Sequence, residues 1–280
     1  MLVLTATCPD AAGIVAAVSG YLANRGAFIT ESSHFGDPAT GRFFMRTVFR
    51  PAEGDSADAV STGFAAVARH IGMQWRIDDA ARRARVLILV SKFDHCLNDL
   101  LYRWRTGALP IEIPAIVSNH PDLAPLAAWH GIPFHHLPVT AATKPEQEAA
   151  LAELIAGLDI DLVVLARYMQ VLSAEMSGKL AGRCINIHHS FLPSFKGARP
   201  YHQAWERGVK LIGATAHYVT SDLDEGPIIE QAVERVTHAN TAEEFVALGR
   251  DIESVVLARA VLWHVQRRVL LNGRKTVVFR

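Results

Sequence analysis

The sequence predicts an α/β protein in two parts: a βαββαβ unit of ferredoxin-like order, then a doubly wound, mostly parallel, Rossmann-like sheet. Three observations carry this. The first 80 residues alternate strand-like and helix-like apolar patterns in the order strand, helix, strand, strand, helix, strand. A charged, alanine-rich run, DDAARRAR (Asp78 to Arg85), then breaks the rhythm and suits a linker or a short helical connection. Beyond it, short continuous apolar runs alternate with amphipathic segments, as expected of strands buried on both faces of a parallel sheet. The implied boundaries are residues 1–80 for the first domain, 81–85 for the linker and 86–280 for the second.

Each element follows from its pattern. Leu2 to Thr7 is an apolar strand, and Ile14, Val15, Val18 and Leu22 mark the helix after it. Phe28 to Phe35 and Arg42 to Phe49 are strands joined by the turn GDPATG. Val60, Phe64, Val67 and Ile71 share one face of a helix over 55–71, and Gln74 to Ile77 closes the unit. In the second part the predicted strands are Val86 to Val90, Ile113 to Val117, a short one near Phe134, Leu162 to Leu165 and Cys184 to Ile187. Helices are predicted over 97–104, 123–130 and 145–158. Ile212 to Val219 and Pro227 to Val233 read as antiparallel strands, and Ala242 to Gln266 as a long helix. Asn272-Gly273 between apolar arms predicts a terminal hairpin.

Bulk properties exclude several classes. Lys plus Arg and Asp plus Glu number 28 each among 280 residues, so the chain has no net charge. A nucleic-acid or membrane-surface binder usually carries a basic excess. No apolar run approaches the roughly 18 residues of a membrane span, and the start, MLVLTATCPD, lacks the basic region of a signal peptide. Cys8, Cys96 and Cys184 are isolated, with no CxxC pair, which predicts reduced thiols in a cytoplasmic protein.

The strand ending at His188 concentrates the chemistry. Side chains alternate along a strand, so Asn186 and His188 share one face while Ile187 turns away. The carboxyl ends of strands are where open α/β sheets bind ligands. Asp224 follows 36 positions later, in the turn-like run SDLDEGP. An amide, an imidazole and a carboxylate are the groups needed to polarise a carbonyl and move a proton. A strand-end His by itself is more often structural than catalytic; the three together point to a site. Adjacent strand residues face opposite ways, so neither His188-His189 nor His135-His136 is expected to clamp one ion, and no metal site is predicted. Gly197 and Pro200 suit a turn, Arg199 and His202 divide evenly between structure and site, and Gly226-Pro227 suits the turn that fixes Asp224.

The runs INIHHSFLP, KGARPYHQA and HYVTSDLDEGPII resemble the folate-dependent formyltransferase domain, and CPDAAGIV resembles the strand-to-helix loop of an ACT domain. The fusion of the two, with the runs GRFFMRT and HHSFLPSFKGARPYHQAWERGVKLIGATAHYV, resembles the formyltetrahydrofolate deformylases over essentially the whole chain. The resemblance implies hydrolysis of 10-formyltetrahydrofolate to tetrahydrofolate and formate, feeding purine synthesis or balancing the folate pool, with no cofactor beyond the folate substrate. It places the catalytic triad on Asn186, His188 and Asp224. Tyr168, Met169, Val171 and Leu172 would wall the pterin, and Val219, Thr220, Ser221 and Asp222 would meet its polar edge. An amino-acid effector at Asp10, Ala12, Gly13 and Ile14, and a homo-oligomer built through the first domain, are implied in the same way.

Two departures bear on the reaction. In the glycinamide ribonucleotide formyltransferases, a glycine-rich loop after the first strand holds the acceptor's phosphate. Here Ser91 to Leu100 (SKFDHCLNDL) has no glycine, which favours water over an amine as acceptor. The methionyl-tRNA formyltransferases carry a further RNA-binding domain, not expected here because the chain ends soon after its long helix and has no basic excess. The second departure is Gln170, where the family usually has a basic residue, so contacts to the substrate's aminobenzoyl or glutamate part are expected to be weaker or rearranged there.

Overall fold

The computed structural model describes residues 1–190 and 200–280, with Pro200 described in its backbone alone. Gly197 and Arg199 therefore lie outside the described residues. In chain order the elements are β1 (Leu2–Pro9), α1 (Ile14–Asn24), β2 (Phe28–Asp37), β3 (Arg42–Arg50), α2 (Ala57–Ile71), β4 (Gln74–Asp79) and β5 (Ala84–Val90). There follow α3 (His95–Arg105), β6 (Ile111–Ser118), α4 (Ala124–Trp129), β7 (Phe134–His136), α5 (Lys144–Gly157), β8 (Leu162–Leu165) and α6 (Ala174–Lys179). The last are β9 (Cys184–His188), α7 (Pro200–Glu206), β10 (Leu211–Tyr218), β11 (Ile228–Arg235), α8 (Ala242–Val265), β12 (Val269–Asn272) and β13 (Lys275–Val278).

The chain divides into two compact units. One comprises Met1–Arg83, Gln266–Asn272 and Val277–Arg280; the other comprises Ala84–Val265 and Gly273–Thr276. Sequence patterning assigned everything beyond 86 to the second domain, whereas residues 266–272 and 277–280 group with the first unit. Side-chain hydrogen bonds account for this. Arg46, itself buried, donates through Nε to the Gln266 carbonyl at 3.1 Å, and Asn272 Nδ2 donates to Asp37 Oδ2 at 2.7 Å. Partners 220 and 235 positions apart leave no local sign in a sequence. Because Asn272 is held in β12, the hairpin turns at Gly273-Arg274, one residue later than expected, with Gly273 at φ 60°.

The first unit is a ferredoxin-like four-stranded sheet in the order β2-β3-β1-β4, every pair antiparallel. Leu4, Val18, Leu22, Met45, Phe49 and Phe64 form its core between sheet and helices. Ser56 caps α2 by accepting from the Ala59 N–H at 3.1 Å, and Gly72 ends the helix in the left-handed region. The run 78–85 contains no helix: β4 extends to Asp79, β5 starts at Ala84, and a turn connects them.

The second unit is built on a seven-stranded sheet in the order β11-β10-β9-β8-β5-β6-β7. From β9 to β7 all neighbours are parallel, and β10 and β11 are added antiparallel at one edge. The continuous apolar run of β5 is explained by this order, since β5 sits between β8 and β6 and Leu87, Ile88 and Leu89 have no exposed surface. The chain goes from β5 outward to β7, then returns to the other side of β5 as β8, which opens a ligand crevice at the carboxyl ends of these strands. Helix α6 was not predicted; its six residues are too few to show a period, though Ser173 caps it by accepting from Met176 N–H at 3.1 Å. All three cysteines are buried, Cys8 in the first unit and Cys96 and Cys184 in the second, and burial pushes each thiol above its ordinary pKa.

Candidate active site

Asn186 and His188 emerge on one face at the end of β9, while Ile187 is buried. After β10 the chain turns back through residues 219–227. The Val219 N–H bonds the Cys184 carbonyl at 2.9 Å, and the Tyr218 N–H bonds the Pro227 carbonyl at 2.9 Å, closing the loop at both ends. Gly226 is required by close packing, because a Cβ there would lie 1.7 Å from the Tyr218 carbonyl oxygen. Asp224, at the loop's inner turn, has φ 58°, a left-handed conformation that Asp tolerates better than most residues. This delivers Asp224 Oδ1 to 3.2 Å from His188 Nδ1. On the other side, β8 leads into Arg167 at φ 64° and then Tyr168 to Leu172. That loop is pinned by the Met169 N–H donating to Ser91 Oγ at 3.0 Å, whose own hydroxyl donates to Asn119 Oδ1 at 2.6 Å.

These segments enclose one cavity. Asn186, His188 and Asp224 line it, together with Tyr168, Met169, Gln170, Val171 and Leu172 from one loop and Val219, Thr220, Ser221 and Asp222 from the other. Tyr168 and Leu172 are mostly buried and belong to the core beneath, with the Tyr168 hydroxyl accepting from Gln147 Nε2 at 2.9 Å. Met169 and Val171 are exposed and give the cavity a free apolar wall.

The electrostatics favour an ionised carboxylate beside the imidazole. Burial alone would raise the Asp224 pKa, but the hydrogen bond from His188 and the nearby imidazoles outweigh it and hold the group below its ordinary value. A carboxylate only accepts, so the proton on the facing nitrogen belongs to His188 Nδ1. His188 Nε2 is buried and has no hydrogen-bond partner among the described residues, leaving the nitrogen remote from Asp224 available to a substrate. His189 stands just beyond the strand. Its ring stacks on His188 at 5.0 Å, rather than facing away as strand alternation predicts. Burial, reinforced by Arg167 and His188, pushes the His189 pKa down to about 4, so its ring is neutral near pH 7.

A family model described as formyl transferase matches residues 84–261. A formyltetrahydrofolate deformylase of Corynebacterium sp. strain P-1 is 53% identical over 282 residues, covering 99% of this chain and 98% of the relative. The crystal structure of a formyltetrahydrofolate deformylase from Burkholderia mallei ATCC 23344 superposes with TM-score 0.95 at 57% identity, covering 100% of this chain and 99% of that one. Glycinamide ribonucleotide transformylase 1 from Symbiobacterium toebii covers only 73% of this chain, at 30% identity and TM-score 0.67. The chain belongs to the formyltetrahydrofolate deformylase family. Both units are accounted for by the first two relatives, whereas the transformylase leaves about a quarter of the chain unmatched.

Within this family member, the cavity holds residues that sequence reasoning did not single out as site residues. Arg167 and His217 both line it. Arg167 belongs to a buried network in which Glu253 Oε2 meets His95 Nε2 at 2.7 Å and Arg167 Nε at 3.4 Å, while Tyr201 donates to Oε1 at 2.8 Å. His95, Cys96 and Glu253 offer ligand atoms within 4.8 Å of one another. That geometry suits an ion-paired cluster better than a metal, since Glu253 already accepts hydrogen bonds from His95 and Tyr201 and pairs with the Arg167 charge, and burial keeps the Cys96 thiol protonated. His202 lies in α7 and does not line the cavity. Of the predicted effector loop, Gly13 takes φ 89° and opens α1 without a side-chain cap; Ile14 is buried in the first unit's core, so only its backbone can face a ligand.

Proposed function

We propose that Asn186, His188 and Asp224 carry the hydrolysis of 10-formyltetrahydrofolate to tetrahydrofolate and formate that defines this family. The observation that supports it most directly is the His188 Nδ1 to Asp224 Oδ1 approach of 3.2 Å beside Asn186, all on one cavity. In this reading water attacks the formyl carbon and charge develops on the formyl oxygen. An Asn186 N–H meets that oxygen; losing one such donor typically costs about 3 kcal/mol. The attacking water gives up a proton to the His188–Asp224 pair, the carbon–nitrogen bond then breaks, and the folate nitrogen leaves with a proton from that pair. The pterin lies against Tyr168, Met169, Val171 and Leu172, with Val219, Thr220, Ser221 and Asp222 at its polar edge. Gln170 stands among them uncharged, so the substrate's carboxylates gain no ion pair from that position.

The reaction calls for no group beyond folate and water, and the formate released would serve purine synthesis or the balance of the folate pool. No helix among the described residues is long and apolar enough to cross a membrane; a cytoplasmic setting is further supported by the three unpaired buried cysteines. The first unit is read as an ACT-type domain. It would bind a small amino acid at Asp10, Ala12, Gly13 and Ile14, and would join subunits through β2, an edge strand with Phe28 and Phe35 exposed. One experiment tests the reaction and the effector together. Purified protein given 10-formyltetrahydrofolate and no amine is expected to release formate stoichiometrically with tetrahydrofolate, at a rate altered by a small amino acid. Absence of formate would overturn the hydrolase reading, and a rate indifferent to every amino acid would remove the effector.

A further inference from the structure

His217 stands directly opposite Asn186 in the antiparallel pairing of β10 with β9, so the two side chains share a face and are nearest cross-strand neighbours. His217 is 2% exposed. The nitrogen Nδ1 lies 2.9 Å from the Tyr218 carbonyl oxygen. A carbonyl can only accept, so Nδ1 carries the proton, and the neutral ring is left with a lone pair on Nε2. That lone pair faces Asn186 Nδ2 at 3.3 Å. The hydrogen bond therefore runs one way along the chain of groups, from the Asn186 amide N–H to His217 Nε2, and from His217 Nδ1–H to the backbone of β10.

The consequence concerns the Asn186 amide, whose nitrogen and oxygen have nearly the same shape. Steric fit alone does not decide which end lies toward His217. A lone pair there does decide it, because an amide oxygen in the same place would set two acceptors against each other. We infer that His217 is a positioning residue of the deformylase reaction, fixing the Asn186 amide so that its second N–H, and not its oxygen, is presented to the formyl oxygen. A reversed amide would place a lone pair against developing negative charge at that point.

The surroundings enforce the ring's orientation. A side chain at Gly226 would come within 3.2 Å of His217 Nδ1, so the glycine lets the 219–227 loop close over that edge of the ring. The register of β10 against β11 shifts between Ala216 and His217, a local irregularity of the kind that re-aims a side chain. The ionisable groups facing the ring are His188 from β9 and Asp224 from the loop, with Asp224 Oδ1 3.8 Å from Nε2. That separation is beyond hydrogen-bond length, so Asp224 does not call for a proton on Nε2, whose lone pair is left to accept from Asn186.

The inference rests on the hydrolase reading for its kinetics but not for its structural half, which keeps the two failures apart. Isotope-edited NMR of the ring nitrogens in the parent protein should show His217 protonated on Nδ1 and bare on Nε2; the opposite tautomer overturns the proposal whatever the enzyme catalyses. In the formate assay, His217→Leu is expected to lose about 100-fold in kcat, the scale of one oxyanion donor, with KM changed by less than about threefold. His217→Gln, which keeps an acceptor for the Asn186 N–H, should recover most of that loss. A Leu variant with nearly parental kcat, a loss carried mainly in KM, or a Gln variant no better than Leu would each overturn it. Should the Leu variant fail to fold, the Gln variant and the tautomer still decide.

Discussion

Asp224→Asn is expected to lower kcat for formate release by about 10³- to 10⁴-fold, the scale seen when an imidazole loses its orienting carboxylate. The substitution is informative because it changes so little else. Asn tolerates the left-handed φ of 58° as readily as Asp, so the loop has no reason to move. Two interactions do change. The negative charge that would stabilise a protonated His188 is gone, and an amide N–H turned toward His188 Nδ1 would select the wrong tautomer, moving the proton to the nitrogen that faces the substrate. Since the segment 168–172, proposed to hold the pterin, is untouched, KM should stay close to the parental value, so the whole loss appears in kcat. Activity within about tenfold of the parent would mean that Asp224 is not the orienting group, because losses that small are ordinary for peripheral residues.

Glu253→Gln is expected to destabilise the protein by about 3–5 kcal/mol, because it removes the anion from a buried cluster and leaves Arg167 without its counter-charge. Burial by itself would raise the Glu253 pKa, but the hydrogen bond from His95, the Arg167 charge and the Tyr201 hydroxyl prevail and keep it below the ordinary 4.5. A carboxylate held low in this way contributes stability above its unfolded pKa and loses it as pH falls through the folded value. The gap between parent and variant, measured by urea denaturation, should therefore be full at neutral pH and shrink progressively below about pH 4.5. Adding Arg167→Met to the Gln variant should recover part of the loss, since the uncompensated cation would be gone. A deficit under about 1 kcal/mol at neutral pH would place this cluster with ordinary surface pairs.

The parts of the site that could be read from the chain are those set by local periodicity. Strand alternation alone places Asn186 and His188 on one face, and the SDLDEGP run announces a turn carrying Asp224. What could not be read depends on register or on distant elements. His217 becomes a partner of Asn186 only once β10 is known to pair with β9 at that offset, and nothing in HYVTSD encodes the offset. The Glu253 cluster draws one residue each from α3, the loop after β8, α7 and α8, in no recognisable spacing. His189 escaped the alternation rule because the strand ends at His188. The same limit governs the fold: apolar patterns revealed the strands and helices, while the grouping of residues 266–272 with the first unit rests on contacts such as Asn272 to Asp37.

The placement of the three cysteines gives the molecule built-in reporters of its own opening. A buried, protonated thiol is inert to alkylation until its surroundings come apart. Cys8 is in the first unit, and Cys96 and Cys184 are in the second. Mass-resolved labelling of the unmodified protein therefore reads the breathing of each unit separately. If the two units open independently, Cys8 will be tagged at a rate unrelated to the other two; a single cooperative opening would tag all three together.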